Sequence, residues 1–427
     1  MSRLAILNGR LVDPASGRDA PTDLFIAEGR IAALGTAPAG FQADRTIDAS
    51  GLVVAPGLVD LCARMREPGT EGALRVEMRA ALAGGVTGVV CPPDTDPALD
   101  EPGLVRMLRQ RSREAQGARL YPVGALTVGL QGETLAEIHT LAETGCVAFA
   151  QTGALPANHG TLLQAMRYAR TFGLRVWLRP VDATIAGDGV AAEGPQAARL
   201  GLPGIPVEAE TVALYTIFEL QRATGARVHL CRLSSAKGVA ALRRARHDGL
   251  PVTADVSVHH LHCTDQDIGE FDPDYRFDPP LRTRHDRAAL RTGLADGTID
   301  AICSDHTPLG SDDKHLPFGE AAAGASGLET LLPLVLRWAA EDGHPLAKAL
   351  ACVTSAPASV LGEDTGRIEP GRKADLVVFD AARSWECNAE SFASAGRNSP
   401  FSGHTLEGRA CYTIVGGEVR HEEPPNS

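Results

Sequence analysis

Apolar and polar positions divide the 427-residue chain into three stretches of different rhythm. Over the first 55 residues, short apolar runs such as Leu4-Ala5-Ile6-Leu7 and Leu24-Phe25-Ile26 are punctuated by Asn8-Gly9, Asp13-Pro14 and Glu28-Gly29-Arg30. That pattern predicts β-hairpins. From Pro56 onward, apolar runs alternate with helical stretches, the signal for βα units and a parallel sheet. Eight runs can be counted: Leu58–Cys62, Val86–Cys91, Leu120–Leu126, Cys146–Ala150, Val176–Leu178, Val228–Leu233, Val252–Val256 and Ile299–Cys303. The segments between them read as helices, for example Ala73–Ala83, Gly160–Phe172, Glu208–Thr224 and Ala236–His247. Eight parallel strands with helical crossovers over about 250 residues predict an α/β protein built on a (β/α)8 TIM barrel. After about residue 360, β character returns in Asp375-Leu376-Val377-Val378-Phe379 and in Cys411-Tyr412-Thr413-Ile414-Val415-Gly416-Gly417. Segments 1–55 and 360–427 are expected to pair into one small composite β-sandwich beside a barrel spanning 56–359.

Composition narrows the partners. Hydrophobic residues make up 44% and charged residues 22%, with no polar tract long enough to read as disorder. Lys+Arg 41 against Asp+Glu 53 gives a net charge of −12, which disfavours a nucleic-acid or anionic-membrane surface and points to a small molecule or another protein. No apolar run reaches the roughly 18 residues of a spanning helix, and Met1-Ser2-Arg3-Leu4 leads into Asn8-Gly9-Arg10 rather than a signal peptide, so a cytoplasmic location is expected. The 9 cysteines stand singly, without a CxxC, as reduced and mostly buried thiols would.

The motifs are more specific. Pro56-Gly57-Leu58-Val59-Asp60-Leu61, Arg66-Glu67-Pro68-Gly69, Gly84-Gly85-Val86-Thr87, Asp278-Pro279-Pro280-Leu281-Arg282, Asp296-Gly297-Thr298-Ile299-Asp300, Ser304-Asp305-His306-Thr307-Pro308, Gly327-Leu328-Glu329-Thr330 and Asn398-Ser399-Pro400-Phe401 follow one another in order through nearly the whole chain. Their succession resembles the dihydroorotase branch of the amidohydrolase superfamily, and most closely its non-catalytic members that associate with aspartate carbamoyltransferase. The resemblance implies one or two divalent metals at the barrel mouth of active members. Their ligands are two His after strand one, a carboxylate or carboxylated Lys after strand four, a His after each of strands five and six, and an Asp after strand eight. Zinc held in this way lowers the pKa of a bound water so that hydroxide exists near neutral pH.

In this chain those positions fall on Cys62 and Arg64, Gln151, Arg179, Arg232 and Asp305. Only the Asp is kept. Arginine keeps its proton at any working pH and has no lone pair for a metal. Two unit charges 4 Å apart interact by roughly 4 kcal/mol at an effective dielectric near 20, so one guanidinium against a dication costs roughly 8 kcal/mol. Two potential ligands, Cys62 and Asp305, fall short of the three or four that a zinc site needs. No metal is expected, unless a shifted site assembles from His229, His259, His260 and His262. His260 and His262 alternate on one face of a possible strand, but His229 sits in an apolar run where a hydrogen-bonded core histidine is the commoner case.

The substrate-holding positions implied by the resemblance are partly kept. Arg66 matches the arginine that grips a substrate carboxylate, and Arg282 closes the Pro-Pro-Leu-Arg string. Asp94 and Asp278 stand where Asn is expected, and Leu309 where the last His of the Asp-His motif is expected. An Asn-to-Asp change removes two donors and adds a negative charge. Arg64, Arg179 and Arg232 all fall at strand ends that converge on one mouth, with Asp305, Asp94 and Asp278 as natural ion-pair partners. A nucleophilic Cys62, its thiolate favoured by Arg64, is a further reading. Three functions therefore remain: an inactive assembly subunit of aspartate carbamoyltransferase in a hetero-oligomer, an active zinc dihydroorotase interconverting N-carbamoyl-L-aspartate and L-dihydroorotate, and a metal-free anion-binding module.

Overall fold

The computed structural model describes residues 3–66 and 73–423. Eight parallel strands stand side by side in chain order: β1 Leu58–Asp60, β2 Val86–Cys91, β3 Arg119–Ala125, β4 Ala148–Gln151, β5 Arg175–Leu178, β6 Arg227–Leu230, β7 Val252–Ser257 and β8 Ala301–Cys303. This is the TIM-type arrangement expected of the chain. The strands read as unbroken apolar runs because both of their faces are covered, by helices outside and by side chains within. The interior holds its own cluster, including Val59, Val90, Tyr121, Val123, Trp177 and Ala301. Between β8 and β1 the barrel closes by other means. Ala63 bridges His306, and Val59 and Ile302 donate their N–H groups to the carbonyls of Val353 and Cys352.

The crossovers include α1 Ala73–Ala83, α2 Pro102–Ala115, α3 Ile138–Thr144, α4 His159–Thr171, α5 Glu208–Thr224, α6 Ala236–His247, α7 Arg284–Ala295, α8 Leu331–Asp342 and α9 Ser355–Leu361. α5 buries Ala213, Leu214, Ile217, Phe218 and Gln221 along one face and stops where Gly225 takes a φ of 67°. α6 starts where Ser235 accepts from the Gly238 N–H and ends in Arg244 and Arg246, cations suited to the negative end of the helix dipole. The Gly84-Gly85 string has a packing reason. A Cβ at Gly84 would lie 2.2 Å from the Leu328 carbonyl oxygen, so only bare backbone lets α1 approach the Gly327-Leu328-Glu329-Thr330 turn.

Two further sheets flank the barrel. Leu4–Leu7, Leu24–Ala27, Arg30–Leu34 and Arg45–Asp48 form a four-stranded sheet. Arg10–Asp13, Arg18–Pro21, Val53–Pro56, Leu376–Glu386, Thr405–Val415 and Glu418–Glu422 form a six-stranded one. Leu376–Phe379 pairs antiparallel with Val53–Pro56 across more than 300 residues of chain, and Leu4, Ile6, Leu24 and Ile26 share a core with Leu11, Val54, Leu376 and Ile414. No helix among the described residues is long and apolar enough to cross a membrane.

One local reading needs correction. Val258–Leu261 is a 3-10 turn rather than a strand, so His260 and His262 do not alternate on one face. Between β5 and β6 the chain folds into short elements, among them Ala191–Ala192 pairing Gly204–Ile205. Runs of two residues carry no periodicity by which to be recognised.

Candidate functional site

The carboxyl ends of the strands deliver three guanidinium groups and three carboxylates to one place. Arg64 and Arg232 both donate to Asp305 Oδ1, at 3.2 and 2.8 Å. Arg64 also donates through Nε to Asp94 Oδ2 at 2.9 Å and through Nη1 to Thr307 Oγ1 at 3.0 Å. Arg179 forks onto both oxygens of Asp278 and reaches the Gly153 carbonyl at 3.1 Å. Arg179, Arg232 and Asp305 are buried, whereas Asp278 is half exposed. The barrel is what assembles this set, since Arg232 and Asp305 lie 73 residues apart and Arg64 and Asp305 lie 241 apart.

Electrostatics fixes the protonation states. Burial alone would push the Asp305 carboxyl up, but Arg232 and Arg64 outweigh it and hold it below the usual carboxylate range. Burial disfavours the charge on Arg232, and its carboxylate and thiol neighbours restore it, so that its pKa is raised. For Arg179 burial prevails over Asp278 and the pKa falls, though from a value high enough to leave the group charged near neutrality. Two buried atoms, Nε of Arg179 and Nε of Arg232, have no hydrogen-bond partner in the structure.

These residues do not fit a zinc ion. The Cys62 sulfur lies 3.6 Å from Asp305 Oδ1, the two candidate ligands, but that same oxygen is held by both arginines. Gln151 accepts from the Thr127 hydroxyl at 2.9 Å and donates its amide to the Leu130 carbonyl at 2.6 Å, away from a metal-ligating role. A dication here would have to displace guanidinium groups that carry protons where ligands need lone pairs.

The four histidines of the alternative metal site do not come together either. Among the described residues, the metal-capable atoms that cluster are those of His229, Cys231 and Asp255. His229 uses both ring nitrogens, Nε2 on Asp255 Oδ2 and Nδ1 on Thr253 Oγ1, each at 2.9 Å, and its ring packs 4.7 Å from Trp177. It is a hydrogen-bonded core histidine. Burial holds His259 and His262 neutral, with pKa values pushed down to about 3.

The four anion-binding candidates separate into two cavities. Arg66 and Asp94 line one of about 350 Å³ beside Arg64. Asp278 and Arg282 line another of about 380 Å³, with Arg179 and Arg232. Asp94 and Asp278 are counter-ions to arginine rather than groups available to an anion, because each carboxylate is held by a guanidinium. Arg282 donates to Ser234 Oγ at 2.8 Å. Arg66 is exposed and has a φ of 57°, and the Glu67-Pro68-Gly69 that follows it lies outside the described residues.

The nucleophilic reading of Cys62 is corrected by its surroundings. Burial pushes the thiol well above its usual range, and the lowering pull of Arg232 and Arg64 is opposed by Asp305 and Asp94. Iodoacetamide at pH 8 should therefore label Cys62 in folded protein at under about a tenth of the rate in urea, as peptide mass spectrometry would read it. Rapid native labelling would reveal an activated thiolate.

Sequence reasoning missed the scaffold beneath the mouth. His306 Nε2 lies 3.0 Å from Glu77 Oε2, both fully buried, and Glu77 also accepts from the Ser394 hydroxyl at 2.7 Å. Asp60 accepts from Ser304, and Glu210 accepts from both the N–H and hydroxyl groups of Ser234 and Ser235. The partners are 24 to 317 residues apart, so no local pattern announces them.

Eight parallel strands in barrel order, two flanking sheets and charged side chains gathered at the strand ends define an amidohydrolase-type barrel. L-hydantoinase from Arthrobacter aurescens has the same fold, with a TM-score of 0.87 at 24% identity over 99% of this chain and 97% of that one. Residues 51–238 match the family described as Dihydro-orotase-like. A dihydroorotase-like protein of Pseudomonas putida is 46% identical over 98% of this chain and 99% of its own length. A protein named dihydroorotase in Syntrophotalea carbinolica is 40% identical over 98% of this chain and 99% of its own. The chain belongs to the dihydroorotase-like family of the amidohydrolase superfamily.

Proposed function

We propose that this chain is a dihydroorotase-like protein without metal-dependent hydrolysis, which serves pyrimidine synthesis as an assembly subunit of aspartate carbamoyltransferase. The observation that carries this reading is the pairing of Asp305 with Arg64 and Arg232. The one carboxylate kept at the metal-ligand positions is already neutralised by groups that cannot ligate. An active dihydroorotase of the kind named in Syntrophotalea carbinolica would need that carboxylate free, together with imidazoles that are absent from positions 62, 64, 179 and 232.

A body retained for its surface should present somewhere to dock. Tyr168 and Phe172 on and just after α4 are exposed, with ring centroids 4.9 Å apart, and α4 packs against α5, which exposes Val212 and Tyr215. Large apolar side chains left in water on neighbouring helices suit a partner protein. A stable interface would bury more than about 1,000 Å².

The test is co-expression with aspartate carbamoyltransferase, followed by size-exclusion chromatography and metal analysis. One large co-eluting complex is expected, with well under one zinc per chain and no turnover of dihydroorotate. A Tyr168→Glu/Tyr215→Glu variant should keep its melting temperature and lose co-elution. Stoichiometric zinc with turnover would reject the reading in favour of the active enzyme.

A further inference from the structure

The opposite end of the barrel from the arginine–aspartate cluster holds a cavity of about 810 Å³, where β3 and β5 begin. Its wall brings together Arg109 and Arg113 from α2, Arg119 and Arg175 from the first residues of β3 and β5, and Lys373 and Arg420 from the flanking β region. Glu363 is the acidic residue that faces them. Such a concentration of cations runs against the net charge of −12. Internal pairing accounts for part of it: Arg119 is held by Asp375 at 2.7 Å and Arg420 by Glu418. Among the described residues, no carboxylate lies within ion-pair distance of Arg109, Arg113, Arg175 or Lys373.

Two of these cations are built into the wall. Gly145 has a φ of 113°, and a Cβ there would sit 2.3 Å from Arg109 Nη1. Gly362 has a φ of 68°, and a Cβ there would sit 1.9 Å from Arg175 Nη2. Bare backbone at both positions leaves the guanidinium groups room to lie against it. Arg109 is pinned further by its bond to the Thr144 carbonyl. Burial and the nearby Arg227 both disfavour the charge on Arg175, and Glu363 compensates only in part, so an added anion would be stabilising there.

We propose that this cavity binds a small molecule carrying a phosphate chain. Four cations without carboxylate partners, spread over three parts of the chain, match a ligand with several anionic oxygens better than a single carboxylate. Guanidinium forks suit phosphate geometry. The volume lies within the range of about 300–1,000 Å³ usual for small-molecule sites. This site is independent of the barrel mouth and of the assembly role.

The full chain is titrated with inorganic tripolyphosphate and, in parallel, with a nucleoside triphosphate, read by calorimetry and by the melting temperature. Binding should saturate with a rise in melting temperature and weaken with added salt. Arg113→Glu/Lys373→Glu, which changes exposed side chains, should keep the unliganded melting temperature and bind about tenfold or more weakly. Equal affinity for the two probes would place the binding energy in the phosphate chain; tighter binding of the nucleotide would show that an organic moiety also contacts the cavity. Absence of saturable binding to either probe, or affinity unchanged in the double variant, would overturn the proposal.

Discussion

Asp305→Asn is expected to destabilise the protein by about 3–5 kcal/mol, the usual cost of removing one partner from a buried charge pair. The substitution is nearly isosteric, and asparagine tolerates the φ of 49° that Asp305 adopts, so the loss reports charge rather than shape or backbone strain. Arg64 keeps Asp94, but Arg232 is left buried with its nearest carboxylate gone. A double-mutant cycle with Arg232→Met isolates the coupling. The double variant should recover part of the stability, because a neutral Asn–Met pair costs less than an orphaned guanidinium. Urea midpoints that fall by less than about 1 kcal/mol equivalent in the single variant would mean that water already solvates Arg232.

Glu329 gives an opposite lesson about buried charge. Burial raises its pKa from 4.5 to about 7, against the pull of the Ala393 and Ser394 N–H groups. A carboxyl whose folded value lies above its unfolded value binds more protons when folded. Its stabilising contribution is complete below about pH 4.5 and is lost as pH rises toward 7, a drop of roughly 3 kcal/mol. Asp60, raised to about 6 by burial, adds a loss of the same sign over a lower window. Asp305, held low by Arg232 and Arg64, and Glu77, held low by its hydrogen bonds to His306 and Ser394, act oppositely and only in acid below the ordinary carboxylate range. The buried imidazoles of His259 and His262, held down at about 3, oppose the Glu329 and Asp60 carboxyls by adding stability as pH rises toward 6.5, so the Glu329 contribution shows as the difference between parent and variant. Glu329→Gln keeps an acceptor for the Ala393 N–H at 2.7 Å while abolishing the titration, so the parent should lose roughly 3 kcal/mol relative to the variant as pH rises from about 4.5 to 7. A variant with the same slope as the parent would assign the pH dependence elsewhere.

The barrel was legible because its strands are buried on both sides, and the chain writes this as continuous apolar runs. Glu208–Thr224 and Ala236–His247 were readable to the residue, since a glycine follows the first and a serine cap precedes the second. The mouth was legible in kind. Arg64, Arg179 and Arg232 announce themselves by standing at strand ends, and barrel geometry makes strand ends converge. What the chain could not disclose was how the charges divide. Arg66 and Arg282 both lie near the mouth, yet the fold gives them separate cavities. The turn at Val258–Leu261 escaped because two histidines at alternate positions look the same on a strand and on a short 3-10 turn. The Glu77–His306 pair escaped because 229 residues separate its members.

The seam between β8 and β1 makes the order of synthesis matter. A nascent chain that ends before residue 305 already contains β1 through β8, along with Arg64 and Arg232, but not the carboxylate those arginines share. It also lacks Cys352 and Val353, whose carbonyls receive the N–H groups of Ile302 and Val59. Closing the ring and neutralising the mouth thus depend on segments made late, and an amino-terminal fragment would leave Arg232 at the mouth without its carboxylate. Arg64 from just after the first strand and Asp305 from just after the last act as a clasp, joining the two ends of the barrel with an ion pair.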